Sequence, residues 1–233
     1  IDWDDDPDHW PVLKQEDYLT FKMVHDVQTS KPELAERIGQ WNPNIKVFPN
    51  MLEKLPLVDF NKKNRFSGLK MFFGALNREK DWAPLIEDLN HVFRADPDFW
   101  SVSVIHDSAF FEALDLSDSQ KSFRPLCSHA DYLNEMSTCD FAFLPLLDTS
   151  FNRLKSDLKL IEAASFGLAS LASNVVYGET LQDDVTGKLF KSSLEMVACL
   201  KAWQANPKKV ISLGQAAYQW IREKRMAAYQ VQD

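Results

Sequence analysis

Between Leu69 and Phe190 the chain alternates short apolar runs with amphipathic stretches, and few folds accept that pattern. LKMFFGAL (Leu69 to Leu76), SVSVIHD (Ser101 to Asp107), DFAFLPL (Asp140 to Leu146), LASLAS (Leu168 to Ser173) and GKLF (Gly187 to Phe190) read as strands. The longer runs lack strict in–out alternation, as expected of strands covered on both faces. Between them lie helical patterns. Trp82 to Phe93 carries Leu85, Ile86, Leu89 and Phe93 at helical spacing, and Phe110 to Leu114, Tyr132 to Met136 and Leu158 to Ser165 are shorter. Strands that alternate with helices pair in parallel through right-handed crossovers. The expected class is therefore α/β, a Rossmann-like parallel sheet with helices on both faces. Ligands of such sheets bind beyond the carboxyl ends of the strands, which selects the loops after Phe73, Ile105, Leu144 and Ala172.

The flanks are less regular. A helix is expected over Gln15 to His25, a strand over Val27 to Ser30, and a helix from Pro32 to near Gly39. Ser30 is its expected cap, with Glu33 at the capping-box position. Ile45 to Asn50 reads as a strand ended by Pro49. Glu53 to Ser67, rich in Pro, Lys and Asn without a period, reads as a linker. Helices near Ser193 to Trp203 and Pro207 to Tyr229 close the chain. The 233 residues suit one large domain or one domain plus part of another.

Composition narrows the function classes. Apolar residues at 45 % and charged residues at 26 % are ordinary globular usage. A formal charge of −8 argues against a nucleic-acid partner, since phosphate backbones call for a basic face. The odd set Cys127, Cys139 and Cys199 has no metal-ligand spacing and reads as reduced thiols of a cytoplasmic protein. No apolar run reaches the roughly 20 residues a membrane span requires. The acidic opening IDWDDDPDHWP is unlike a signal peptide, and the chain is expected to be part of something longer.

Two loops concentrate cations. GALNREKDW turns at Gly74 and carries Arg78 and Lys80 beside a helix start, where charge and free N–H groups suit a diphosphate. DTSFNRLKSDLKLIEAASFG holds Arg153, Lys155, Ser156 and Lys159, then Glu162. Ser156 is placed to cap the helix, and Glu162, one turn beyond Lys159, can accept from sugar or ribose hydroxyls. The plainer reading of both loops is solvated charge on ordinary amphipathic helices. His106 closes its strand and is expected to line the cleft. Asp2, Asp4, Asp5 and Asp6 suit a hard cation, yet no nucleotide-binding strand precedes them, and a solvated turn beside the cleft is expected instead. No Gly-x-Gly-x-x-Gly and no P-loop occurs, against a dehydrogenase or an NTPase.

KSDLKLIEAASFGLASLAS followed by YGETLQDDVTGKLF resembles the donor signature of the GT-B glycosyltransferases, in particular the retaining, family-four-like group 1 enzymes. The matching positions are Ser156, Lys159, Glu162, Gly167, Glu179 and Thr186-Gly187. GALNREK is similar to the same family's diphosphate loop, with Lys80 as its final lysine. Ala75 stands where the family often has arginine, and Leu154 where it often has a first glutamate. The resemblance implies a GT-B C-terminal donor domain over 61–206, a remnant of the acceptor-side domain and a linker over 1–60, and a C-terminal helix over 207–233. It implies transfer of a sugar from a nucleotide-diphosphate-sugar donor to a glycan, lipid or protein acceptor, as in polysaccharide biosynthesis. It implies no requirement for a metal or other cofactor. The missing acceptor-side part leaves room for peripheral membrane contact. Lys80 and Glu162 are the expected catalytic residues; Gly74, Arg78, His106, Arg153, Lys155, Ser156, Lys159 and Glu179 are the expected donor contacts. The alternative is a non-catalytic nucleotide-sugar-binding or interaction module of the same fold, motivated by Ala75 and Leu154.

Overall fold

The computed structural model of the chain describes residues 1–63 and 68–229. Positions 64–67 of the expected linker and 230–233 of the expected C-terminal helix lie outside the described residues.

A six-stranded, wholly parallel sheet dominates: β3 (Leu69–Gly74), β4 (Trp100–Ile105), β5 (Lys121–Arg124), β6 (Phe141–Leu144), β7 (Ala169–Ser173) and β8 (Gly187–Phe190). Its spatial order is β5-β4-β3-β6-β7-β8. This is the doubly wound Rossmann order, which reverses direction between β3 and β6. A separate pair, β1 (Val27–Thr29) and β2 (Ile45–Val47), forms a small parallel sheet near the N-terminus, and Asp2 bridges to Gln28 alongside it.

Successive side chains of β3 explain the layers. Met71 and Phe73 enter one core with Trp100, Val102, Val104, Phe141 and Phe143, under helices Ile86–Ala95 and Ser193–Ala205. Phe72 enters the other with Ile105, Ala142 and Leu144, under helices His129–Ser137 and Leu158–Ser165. Each such large side chain contributes roughly 1.5–3 kcal/mol when fully buried. The small lobe has its own core of Leu13, Phe21, Val27, Leu34 and Ile38.

Helix Pro207–Lys224 packs across the back of helix Leu158–Ser165, with Ala217 and Ile221 against Ile161 and Ala164. Gly167 ends the latter helix at φ +67, and its N–H bonds the Ala164 carbonyl, the left-handed stop that favours glycine. Gly214 sits on that turn; a Cβ there would lie 2.2 Å from the Gly167 carbonyl oxygen. Beyond the long helix the chain returns to the small lobe's exit. Leu52 N–H donates to the Arg225 carbonyl (2.8 Å) and Ala227 N–H to that of Leu52 (2.9 Å).

Several local expectations give way. The helix over Gln15 to His25 is two pieces, Pro11–Gln15 and Leu19–Lys22, because Asp17 and Tyr18 turn at φ 50° and 55°. That turn stacks Tyr18 on Trp41 and buries both Leu13 and Phe21. Lys31, not Ser30, occupies the cap position of helix Pro32–Gly39, in extended conformation and without a side-chain cap. The helix expected from Trp82 begins earlier as a turn, Glu79–Trp82, then tightens over Ala83–Leu85 before helix Ile86–Ala95, since Pro84 has no N–H to give. Strand β5 and the turn Ser150–Arg153 were not expected. All three cysteines are free thiols, and burial pushes the Cys139 thiol up to about 12. Among the described residues no helix is long and apolar enough to cross a membrane.

Candidate functional site

The carboxyl ends of β3 and β6 part at the point where the sheet order reverses, and a cavity of about 200 Å³ opens there. Its floor is backbone and apolar side chains, from Phe73 to Ala75 and from Phe143 to Leu146. Gly74 is required at this spot. A Cβ on it would lie 2.5 Å from the Tyr132 ring and 2.8 Å from that of Phe72.

Three cations line the cavity: Arg78, Lys155 and Lys159. Arg78 ends the β3 loop and donates to Asp81 (3.3 Å) and to Asn152 Oδ1 (3.2 Å). Asp81 is buried; its carboxylate accepts from Asn152 Nδ2 (2.7 Å) and from Leu147 N–H (2.9 Å). The β3 and β6 loops are thereby locked together beneath the guanidinium. Lys159, in the first turn of helix Leu158–Ser165, reaches back to the Gly74 carbonyl (2.6 Å) and the Tyr132 hydroxyl (3.4 Å). Lys155 lies over the Phe151 ring at 4.2 Å and pairs with Asp5 at 3.3 Å.

Burial depresses the pKa of Lys155, and the positive Arg78 adds to this while Asp5 opposes it. Burial also depresses that of Lys159; Glu162 opposes the shift, and Arg78 and Lys155 reinforce it. The three charges therefore disfavour one another, an arrangement that an anion relieves. The start of helix Leu158–Ser165 has no side-chain cap, so its N–H groups add to the positive field. Ser156 lines the cavity but is not the cap. Asp157 holds that position, and its carboxylate instead accepts from Arg225 (2.6 Å) and Thr180 (2.7 Å).

The remaining expected residues fall elsewhere. Lys80 is exposed and outside the cavity lining; two positions earlier, Arg78 holds the mouth. Arg153 is also outside: its guanidinium forks onto Asp148 at 2.5 and 2.8 Å on the surface. Glu162 is buried one turn behind Lys159 and meets His129 Nε2 at 3.0 Å. His106 takes φ 75° at the end of β4 and stacks on Tyr132, which in turn stacks on His129. Burial, aided by Lys159, lowers the His106 pKa and favours its neutral form. Glu179 pairs with Lys31 at 3.2 Å, over a neighbouring basin.

Sequence reasoning missed Tyr132, Asp81 and Asn152, whose roles depend on contacts across the fold. Burial, with Glu162 nearby, raises the Tyr132 pKa, so its hydroxyl stays protonated. The acidic opening was expected beside the cleft, and Asp4 and Asp5 do form part of the cavity wall. Among the described residues no group of three His, Cys, Asp or Glu side chains could hold a metal ion.

No protein-family model and no curated protein matches this chain. Solved structures do. Anabaena HepE in complex with UDP-glucose superposes with a TM-score of 0.69 at 16 % identity, over 98 % of this chain and 68 % of HepE. A point mutant of S. aureus TarM, in complex with Fondaparinux, alpha-GlcNAc-glycerol and UDP, gives 0.66 at 15 % identity over 93 % of this chain. The chain spans 44 % of the length of TarM. The C-terminal domain of LpcC, a glycosyl transferase group 1 family protein from Francisella tularensis, gives 0.55 at 21 % identity, over 72 % of this chain and 90 % of that domain. The fold is thus that of the GT-B Rossmann-like domains.

Proposed function

We propose that the cavity between β3 and β6 holds the diphosphate of a nucleotide sugar, and that the chain is the donor-binding part of a cytoplasmic glycosyltransferase. The observation that carries this reading is the convergence of Arg78, Lys155 and Lys159, from two separate crossover loops, on one cavity at the switch point of the sheet. A diphosphate places its charge where these cations disfavour one another. The negative charge that builds on the departing diphosphate as the glycosidic bond breaks is stabilised by the same groups. Because the chain's own cations do this, the reading calls for no metal. Lys159 holds the phosphate nearest Gly74, Arg78 and Lys155 flank it, and Glu162, behind Lys159, orients the ribose once His129 yields. The acceptor is a glycan, lipid or protein hydroxyl. Fold likeness to proteins solved with UDP or UDP-glucose supports the donor class.

Calorimetry with UDP, GDP, dTDP and ADP tests the reading. Arg78→Ala and Lys155→Ala each remove a charge-assisted contact and are expected to weaken binding roughly 10- to 100-fold. No binding of any of the four at millimolar concentration rejects it. A second reading, a binding or interaction module without transfer, is favoured by the Asp5–Lys155 pair and the Lys159–Gly74 contact, which already occupy two of the cations. Donor binding without release of free nucleotide or transfer of sugar selects it.

A further inference from the structure

A second cavity, of about 240 Å³, lies between the small lobe and the sheet domain and shares Ser156 with the first. Its charges cancel. Lys31, whose side chain is only 8 % exposed, pairs with Glu179 at 3.2 Å, and Arg225 pairs with Asp157 at 2.6 Å. An anion gains nothing from such a basin, in contrast to the three cations next door. Groups that both donate and accept gain much, since fixed ammonium, guanidinium and carboxylate groups stand beside the hydroxyls of Ser156 and Thr180. That is the complement of a polyol. The volume is below the roughly 300–1,000 Å³ that encloses a drug-sized ligand, and so suits a single ring.

Ser30 supplies an independent observation. It lines this basin, and its hydroxyl is shut off from solvent with no hydrogen-bond partner. The sequence suggests a capping role for it, but Lys31 takes the cap position and leaves the hydroxyl unused. A buried hydroxyl without a partner is costly. A change between staggered χ1 positions re-aims it.

We infer that this basin binds one neutral pyranose ring, placed by Ser156 beside the diphosphate cavity, with Ser30 and Glu179 as hydroxyl partners. The inference rests on the nucleotide-sugar reading and names the site where the sugar sits. The ring belongs either to the donor or to the acceptor, and both present the same hydroxyl chemistry.

The test measures binding of UDP, of UDP-glucose, UDP-galactose and UDP-N-acetylglucosamine, and of methyl α- and β-glucopyranoside with and without UDP. The proteins are wild type, Ser30→Ala and Glu179→Gln. Ser30→Ala is expected to melt at or above the wild-type temperature, because it deletes an unpaired hydroxyl. It is also expected to bind the sugar-bearing probe roughly three- to tenfold more weakly, with UDP affinity unchanged. Glu179→Gln is expected to show the same split. Loss confined to the UDP-sugars assigns the ring to the donor; loss confined to the methyl glycosides assigns it to the acceptor. Glycoside binding that depends on Ser30, without UDP binding, upholds the basin and rejects the diphosphate reading. Wild-type affinity for every probe in both variants overturns the inference, as does UDP binding with no contribution from any sugar.

Discussion

Lys159 donates to a backbone carbonyl while Arg78 and Lys155 act on it as like charges, so its ammonium is held at a cost. Its folded pKa is depressed below the unfolded lysine value of about 10.4. Between the two values the unfolded chain binds more protons than the folded one, so stability rises with pH across that window. Below the folded pKa the penalty is present in full. Lys159→Met is expected to flatten this slope, read as the urea midpoint against pH; an unchanged slope assigns it to other groups. Ligand linkage has the matching sign. A diphosphate raises the depressed pKa values of Lys155 and Lys159, so binding takes up protons and weakens as pH climbs through the free-protein values. Calorimetry in two buffers of different ionisation enthalpy reads the uptake directly. At the same scale, Lys80→Ala is expected to leave nucleotide affinity within about twofold of wild type, since one exposed lysine outside the cavity contributes at the level of a surface charge. A loss as large as that of Arg78→Ala returns the diphosphate to Lys80.

Close approach at the level of elements is enforced by glycine. Helix Pro207–Lys224 lies directly on the turn at Gly167, and Gly214 leaves no space there for a methyl group. Alanine gains roughly 1 kcal/mol of helix propensity, but overpacking against backbone costs about 1–3 kcal/mol. Gly214→Ala is expected to be net destabilising in urea unfolding; a variant more stable than wild type means that the helix lifts freely off the turn. The elements legible in the sequence are those with strong apolar content: β3, β4, β6 and β7 lie within two residues of their expected bounds, and helix Leu158–Ser165 matches its range. Strand β5 was not legible because KSFR is a polar edge strand, exposed over most of its length. In the site, the cation-rich loops and Gly74 were legible because charge density and turn chemistry are local. The exchange of Lys80 for Arg78, the diversion of Arg153 to Asp148 and the pairing of Glu162 with His129 were not, because each depends on side-chain direction or on a partner from another element.

The molecule as a whole is tied across its two lobes by ionic contacts. Arg225 and Asp157 are both mostly buried, at 15 % and 12 % side-chain exposure, and Arg225 also donates to the Asn50 carbonyl at 3.0 Å. Removing one partner leaves a buried charge uncompensated, at about 3–5 kcal/mol. Arg225→Met is expected to lower stability on that scale, and the double variant Arg225→Met/Asp157→Asn to recover much of it. Additive losses in the double variant mean that the pair does not couple. The parallel, doubly covered sheet was legible at this scale; the point where its order reverses was not, since no local pattern records which strands become neighbours.

The backbone hydrogen bonds of Leu52 to Arg225 and Ala227 bind the outgoing and returning segments side by side. A single tether lets two bodies swing about any axis, whereas two adjacent crossings fastened to each other resist torsion and leave bending as the soft mode. Whatever widens or narrows the gap between the lobes must flex both segments in concert, so the approach of Lys31 and Ser30 toward Glu179 and Ser156 follows one path.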